Sequence, residues 1–413
     1  MRTTMKKTIS TAILLAVTVL ATAQPITYEQ FNRLVAEKNI LYLAEKYNVD
    51  MAAASVQAAS VFNDPELSVA YGNNQDWNLQ MGQSVEVGMS LNPDLAGVRR
   101  ARMAVAGSER DITEASVRAY LNNLKLEAAQ AWGEAWRLRQ SCVLLQQSVD
   151  DMMQIARSDS LRLRVGDVGR ADALQSSLEA RTMKGELLTL QADYQNALQT
   201  LSLFCGGEPI SEMEEALPCP DVLPDEGEVG SLAESNRADL EAALLSKTLS
   251  ENNLRLVRAS RAFEMGIDLG YSYDTEVRNE IAPAPRFNGL SIGVSIPLKF
   301  SSLNKGEVNA ARAQVKQSES NYEAARLQVR TEATQAYNTL MAALAVRNQY
   351  AESILSDARS IIDGRKSGYL KGESSLTEYL SAQQTYLEVM QAAIEAEAAC
   401  FVSKAQLDQT IGL

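Results

Sequence analysis

The chain has 413 residues and a net charge of −13, so its acidic balance gives no electrostatic basis for binding nucleic acid. It contains no histidine, which excludes histidine-dependent catalytic triads and histidine metal sites. Hydrophobic residues make up 46% of the chain and aromatic residues only 6%, a balance that favours long helices over an aromatic-rich core.

The N-terminus has the pattern of a secretory signal peptide over residues 1–23. Basic residues precede an apolar run from Ile9 to Leu20, and an Ala-x-Ala cleavage site ends at Ala23. The apolar run is shorter than the roughly 20 residues that a membrane-spanning helix needs. We therefore expect an exported protein, and no later apolar run is long enough to span a bilayer as a helix.

After a first helix, the chain shows two alternating runs followed by two helical patterns. Alternation of apolar residues with small or polar ones predicts strands near 66–72 and 83–92. Pro93 ends the second strand, because proline cannot donate to a sheet ladder. Small and apolar residues at coiled-coil spacing then predict a long helix over 96–158 and a further helix over 170–204.

A proline-containing segment, residues 208–230, predicts a linker. The same order then returns: a helix, strands near 265–275 and 289–298, and two more helices. These last helices are predicted over 305–363 and 373–410.

The long helix of the second half is the most extended predicted element. From Val308 to Ile361 its apolar residues recur in steps of three and four, with a shift of phase before Ile354. At about 1.5 Å per residue, such a helix is roughly 80 Å long. A strand pair joined to a helix of this length suits a tube that crosses a wide compartment.

The two halves of the mature chain, residues 24–207 and 231–413, form an internal repeat. Several residues match at one constant offset, for example Gly166 with Gly372 and Asp172 with Glu378. Element order and register agree, which makes the repeat the strongest organisational signal in the chain.

Four strands per chain cannot close a membrane barrel, since the smallest bacterial barrels have about eight. An open sheet edge cannot face lipid, so strands that enter a membrane must be shared between chains, and three chains would supply twelve. The predicted fold is mainly α with a small β part. If its strands enter a membrane, the expected architecture is a long α-helical coiled-coil barrel continued into a transmembrane β-barrel shared by a trimer. A four-stranded soluble sheet remains the alternative, because alternation does not identify the apolar partner.

Two helix–turn–helix segments carry the most specific pattern. The first, Arg164 to Gln175, has a glycine, an aspartate six residues later and an apolar–Gln step. The second, Tyr369 to Gln383, has Tyr-x-x-Gly, then an acidic residue and a Leu-x-Ala-Gln step. In these segments, and over nearly all of the mature chain, the sequence resembles the TolC family of bacterial outer-membrane efflux proteins.

The resemblance implies a homotrimer in the bacterial outer membrane with a periplasmic helical extension. It further implies a periplasmic adaptor (membrane fusion) protein on the helical tips and an inner-membrane pump reached through that adaptor. The expected function is a passive exit duct for small molecules such as drugs, detergents or metal ions. Outer-membrane lipid is the expected surroundings of the strands, and neither an enzymatic activity nor a cofactor is expected.

Two groups of site residues are expected at the tips. The residues expected at the pore iris or gate are Glu378, Ser381 and Asp172. The residues expected to dock the adaptor are Arg164, Gly166, Val168, Gly169, Arg170, Tyr369, Lys371 and Gly372. A ring of carboxylates would favour cations, whereas a solvated acid stabilised by the helix dipole is the alternative, especially for Asp172. The glycines are expected to permit tight turns at positive φ.

Other functions stay open at this point. A channel of the same design could export a protein, and the sequence does not distinguish the cargo. A soluble periplasmic coiled-coil scaffold would place the apolar strand faces against a core. An enzyme is the weakest alternative, because no nucleophile–base pair, phosphate loop or metal cluster stands out in the sequence. Cys205 precedes the linker and Cys219 lies within it, and free thiols are favoured over a disulfide between them.

Overall fold

A computed structural model describes residues 25–75, 80–218, 224–300 and 305–413. The predicted signal peptide, residues 1–23, and Cys219 lie outside the described residues. The chain divides into two compact units. The helical unit contains the residues up to Ala44, Ala119–Arg237 and Val329–Leu413, and the strand-bearing unit contains Glu45–Arg118 and Ala238–Gln328.

The described residues form helices and one four-stranded sheet, which confirms the predicted class, mainly α with a small β part. In chain order the elements are α1 (Tyr28–Lys38), α2 (Ile40–Ala59), β1 (Glu66–Gln75), β2 (Gln80–Leu91), α3 (Val98–Val165), α4 (Arg170–Phe204), α5 (Glu226–Asn236), α6 (Ala238–Ser260), β3 (Gly266–Asp274), β4 (Phe287–Ser295), α7 (Gly306–Gln349), a π-helix (Tyr350–Ile354), α8 (Leu355–Lys371) and α9 (Leu376–Ile411). None of the helices in the described ranges combines the length and apolarity that a bilayer crossing requires.

Several helix ends differ from the predicted bounds. α3 continues to Val165 instead of ending near 158, because neither proline nor glycine occurs between residue 158 and Gly166. The predicted helix over 305–363 is broken by the π-helix and then continues to Lys371. The last part of the predicted linker is already helical, since α5 begins at Glu226.

The sheet of the strand-bearing unit is antiparallel throughout, in the order β1-β2-β3-β4. Its register places apolar residues of all four strands in continuous rows. One row joins Leu67, Met89, Leu269 and Ile292. These rows face outward, and Ile292 is 81% exposed. The alternation predicted from sequence therefore produces one apolar face without a covering layer within the described chain.

The opposite face of the sheet carries mainly small residues. On this face, serines of one strand lie beside glycines of the neighbouring strand. A β-carbon added at Gly88 would lie 2.6 Å from Oγ of Ser68, and one at Gly270 would lie 2.5 Å from Oγ of Ser291. The serine hydroxyls thus occupy the space that the missing glycine side chains leave. This face is mostly small and polar, in contrast to the apolar rows behind it.

The core of the helical unit is built where α1, α3 and α9 meet. Trp132 and Phe31 are fully buried with ring centroids 5.0 Å apart, and Tyr28 contacts Phe401 edge-to-face at 4.9 Å. Gly133 allows α9 to approach closely, because a β-carbon there would lie 3.0 Å from a methyl group of Val402.

The start of the predicted linker packs against this core. The indole N–H of Trp136 donates to the carbonyl of Glu215 at 2.7 Å, and Ile26 pairs with Met213 in a parallel bridge. Cys205 is a buried free thiol at the end of α4. Burial raises the pKa of the Cys205 thiol to about 11, so the thiol is neutral at physiological pH.

Candidate functional site at the hairpin tips

The first hairpin, α3–α4, ends in a glycine-dependent turn. Gly166 has φ of 80°, a left-handed conformation that favours glycine. The N–H of Asp167 donates back to the carbonyl of Arg162 at 2.9 Å, and Nε of Arg162 donates to Oδ2 of Asp167 at 2.7 Å. Gly169 then begins α4 with φ of −65°, so the expected positive φ occurs at only one of these two glycines.

The second hairpin, α8–α9, ends in an equivalent turn. Gly372 has φ of 79°, and the N–H of Glu373 donates to the carbonyl of Gly368 at 2.8 Å. Ser375 begins α9, and its hydroxyl accepts the N–H of Glu378 at 3.3 Å. Gly368 lies inside α8 and does not adopt positive φ.

The three residues expected at the gate are exposed. Oε2 of Glu378 pairs with Nη1 of Arg365 at 3.2 Å, and both side chains are 52% exposed. Ser381 lies one turn further along α9, while Asp172 lies in the first turn of α4. No hydrogen bond or ion pair among the described residues joins Asp172 to Glu378. Within one chain, the two acids therefore remain on separate hairpins.

Most of the residues expected to dock an adaptor lie at the surface of the two tips. The exposed ones are Arg164, Gly166, Gly169, Arg170, Lys371 and Gly372, and Val168 is partly buried. Three of these residues are cationic, so the tips present positive charge beside their turns.

Tyr369 departs from the expected docking role. Its side chain is only 5% exposed, and its ring stacks on Tyr379 with centroids 6.2 Å apart. Its hydroxyl donates a hydrogen bond to Oδ1 of Asp159 at 2.9 Å. Burial and the neighbouring Asp159 raise the pKa of Tyr369, which keeps the hydroxyl protonated as a donor. Tyr369 joins the two hairpins from inside and offers little surface to a partner protein.

Further polar contacts connect the hairpins beside Tyr369. Nζ of Lys366 pairs with Oδ1 of Asp151 at 2.6 Å. Nη1 of Arg162 donates to the carbonyl of Tyr369 at 3.4 Å, and its guanidinium lies 5.8 Å from the ring centroid. Nε2 of the buried Gln383 lies 3.5 Å from the carbonyl of Ser148.

Two buried oxygen atoms in this region have no hydrogen-bond partner, Oδ2 of Asp159 and Oε1 of Gln383. Leaving such groups unpaired in the interior costs about 1–3 kcal/mol each. The polar layer between the hairpins therefore contains buried groups whose hydrogen-bonding capacity is not fully used.

An apolar cluster supports this polar layer. It consists of Val149, Met152, Ile155, Ala180, Met183, Leu187, Ile362, Tyr369, Leu376 and Tyr379.

The sequence analysis did not identify Asp159, although the spacing of apolar residues on α3 pointed to it. The apolar stripe of α3 steps through Val149, Met152 and Ala156, and the next step of three reaches Asp159. An aspartate on an apolar stripe needs a polar partner, and Tyr369 is that partner.

Comparison with known proteins identifies the part of the chain that carries the second hairpin. Residues 229–413 match the family model described as outer membrane efflux protein. These residues are an outer membrane efflux protein domain. The full chain is 22% identical over 406 residues to the outer membrane efflux protein BepC of Brucella suis, covering 95% of this chain and 87% of BepC.

Solved structures agree in fold over almost the whole chain. The outer-membrane channel OprN matches with a TM-score of 0.77 at 15% identity, covering 93% of this chain and 89% of OprN. The outer membrane protein VceC of Vibrio cholerae matches with a TM-score of 0.73 at 16% identity, covering 93% and 96%. At these identities the likeness shows the fold.

These comparisons confirm the predicted resemblance to the TolC family and the predicted location in the outer membrane. Among the structurally similar proteins, OprN is an outer-membrane channel and CusC forms a transmembrane channel.

Proposed function

We propose that three copies of this chain form an outer-membrane channel that serves as a passive exit duct for small molecules. An inner-membrane pump supplies the energy, and a periplasmic adaptor connects the pump to the hairpin tips. The trimer and its partnership with a pump and an adaptor go beyond the channel fold that the similar structures share.

The observation that supports the proposal best is the sheet of the strand-bearing unit. Its apolar rows are exposed in a single chain, with Leu290 at 88% and Ile292 at 81%. Its outermost strands, β1 and β4, each pair on one side only within the described sheet. An open edge beside an apolar face is unstable in lipid unless another copy completes the ladder. Three copies would join these edges into a closed barrel of twelve strands.

The tips supply the second part of the proposal. Glu378 would contribute one carboxylate per copy to a ring at the gate, and such a ring favours cations over anions. The exposed cations Arg164, Arg170 and Lys371 would meet acidic residues of an adaptor. Charge complementarity of this kind steers association and fixes orientation more than it adds affinity.

A pair of neighbouring substitutions tests the membrane assignment of the sheet. Ile292→Arg places a charge on the apolar face, where it costs about 2–4 kcal/mol at the bilayer midplane. Ser291→Arg places the same charge on the polar face of the same strand. We expect Ile292→Arg to lower recovery of trimer from outer membranes and Ser291→Arg to preserve it, as measured by detergent-corrected light scattering.

Wild-type behaviour decides between the channel and a soluble scaffold. A trimer that leaves the membrane only with detergent, and that conducts ions in planar bilayers, supports the channel. A monomer or dimer released by salt alone overturns the proposal. Loss of dye efflux in cells that lack the chain, restored by the wild-type gene, tests the small-molecule cargo.

A further inference from the structure

A cavity of about 600 Å³ lies at the end of the sheet where the chain passes from strands to helices. The end of β2, the start of β3 and the residues after β4 line one side of it, and the start of α3 lines the other. All of these elements belong to the strand-bearing unit. If the apolar sheet face lies in lipid, this cavity lies at the periplasmic boundary of the membrane.

Both acidic residues that line the cavity already have partners within the chain. The two carboxylate oxygens of Asp94 accept the N–H groups of Val98 and Arg99 at 2.7 and 2.8 Å, which caps α3. Glu264 pairs with Nζ of Lys299 at 2.8 Å. Neither carboxylate is therefore without a hydrogen-bond or ion-pair partner.

Arg99 also has partners within the chain. Its Nη1 donates to the carbonyl of Ser60 at 2.7 Å, and its guanidinium lies over the ring of Phe62 at 4.0 Å from the centroid. It therefore contributes packing as well as charge to the wall of the cavity.

Arg102 is the charged side chain of the cavity lining that has no partner among the described residues. It follows Arg99 by one helical turn, is exposed, and has no hydrogen bond or ion pair within the part of the chain that the structure describes. A cavity whose acids are satisfied and whose free group is a guanidinium favours an anion, and phosphate oxygens match guanidinium geometry.

Apolar side chains surround this cation. Phe62, Leu95 and Ile296 line the same cavity and are 67%, 57% and 50% exposed. A cation beside exposed apolar side chains, next to an apolar sheet face, matches a ligand with a charged head and hydrocarbon tails.

We propose that this cavity binds the phosphodiester headgroup of a membrane phospholipid. Arg102 holds the phosphate, and the acyl chains lie against Phe62, Leu95 and Ile296. The site rests on the proposed membrane function, since it requires the sheet to be in lipid.

The test is native mass spectrometry of the full-length trimer in detergent, titrated with phosphatidylglycerol. Arg102→Gln removes the proposed ligand, whereas Arg100→Gln removes the same charge from an exposed residue that does not line the cavity. We expect lipid binding to weaken about fivefold in Arg102→Gln. We expect it to stay within about twofold of wild type in Arg100→Gln. Equal weakening in both variants, or in neither, overturns the site.

Two further arms identify the ligand. Inorganic phosphate at the lipid concentration should not displace phosphatidylglycerol, and full displacement would mean a phosphate site without a lipid requirement. If a neighbouring copy fills the cavity, Arg102→Gln will reduce trimer recovery and leave lipid counts unchanged, which also overturns the proposal. A wild-type trimer that conducts ions but shows no Arg102 dependence refutes only the lipid site and leaves the channel assignment intact.

Discussion

The hydroxyl of Tyr369 donates a hydrogen bond to Oδ1 of the fully buried Asp159 at 2.9 Å and thereby joins α8 to α3. The second oxygen of this carboxylate has no hydrogen-bond partner. The Tyr369 hydroxyl therefore donates the only hydrogen bond that the buried carboxylate of Asp159 receives from the described residues. This makes Tyr369 and Asp159 the most sensitive pair in the tip region.

Removing the hydroxyl should destabilise the tips. In Tyr369→Phe Oδ1 of Asp159 loses its hydrogen bond and both oxygens of the buried carboxylate are left unpaired, which should lower the free energy of unfolding by about 1–3 kcal/mol. Urea unfolding of the detergent-solubilised protein measures this change. Tyr379→Phe is the matched control, because the ring of Tyr379 is also buried and its hydroxyl has no hydrogen bond within the described chain. Similar losses in the two variants would contradict a special role for the Tyr369–Asp159 bond.

Gly364 inside α8 and Gly372 just after its end should respond to alanine in opposite directions. Gly372→Ala forces a side chain into a left-handed conformation and should cost about 1–2 kcal/mol. Gly364→Ala, inside exposed α8 where an added β-carbon has no atom within 4 Å, should stabilise by about 0.5–1 kcal/mol. Thermal unfolding of both variants measures the difference. Equal shifts of Tm would mean that the turn at Gly372 is not held in the left-handed conformation.

Ion selectivity should depend on Glu378. Glu378→Gln removes one negative charge per copy from the proposed gate and should reduce the preference for cations, as seen in the reversal potential under a KCl gradient. Stability should change by no more than about 1 kcal/mol, because the pair with Arg365 is half exposed. Glu29→Gln, which breaks another exposed pair with an arginine, should leave selectivity unchanged. An unaltered reversal potential in Glu378→Gln would remove Glu378 from the pore.

Alkaline stability should depend on Tyr28. Burial, together with Asp408, raises the pKa of Tyr28 to about 12. The unfolded chain loses this proton near pH 10, so the folded state binds more protons between about pH 10 and 12. Stability should therefore be complete below pH 10 and fall by about 2 kcal/mol as the pH rises through this window.

Tyr28→Phe should make that alkaline decline shallower. Tyr47→Phe, at a tyrosine that is 67% exposed, should retain the wild-type decline. Unfolding free energies measured at several pH values in the three proteins test this expectation. Identical pH profiles would contradict the assigned role of Tyr28.

The spacing of apolar residues in the sequence predicted the helices and strands well, because that spacing follows from the local geometry of the backbone. Alternating residues produced strands with one apolar face, since successive side chains of a strand point to opposite sides. The same reasoning failed at a helix end, because the helix predicted over 305–363 stops before Gly364 and Gly368, whereas both lie inside α8. A glycine ends a helix only where the backbone adopts the left-handed conformation, as at Gly372.

The candidate site was predicted less completely than the fold. The turn glycines Gly166 and Gly372 and the exposed cations followed from the sequence of the tips. The buried role of Tyr369 did not, because its partner Asp159 is 210 residues away and only packing brings the two together. The Lys366–Asp151 pair escaped notice for the same reason.

The π-helix at Tyr350–Ile354 has a consequence for how this chain can change over evolution. A π turn holds one residue more than an α turn would need, and the shift of apolar phase before Ile354 marks it in the sequence. Loss of a single residue here would restore a continuous α-helix and keep the buried faces of α7 and α8 in place. We therefore expect related channels to differ in length at this point, with gaps in their alignments falling here and not in the flanking helices.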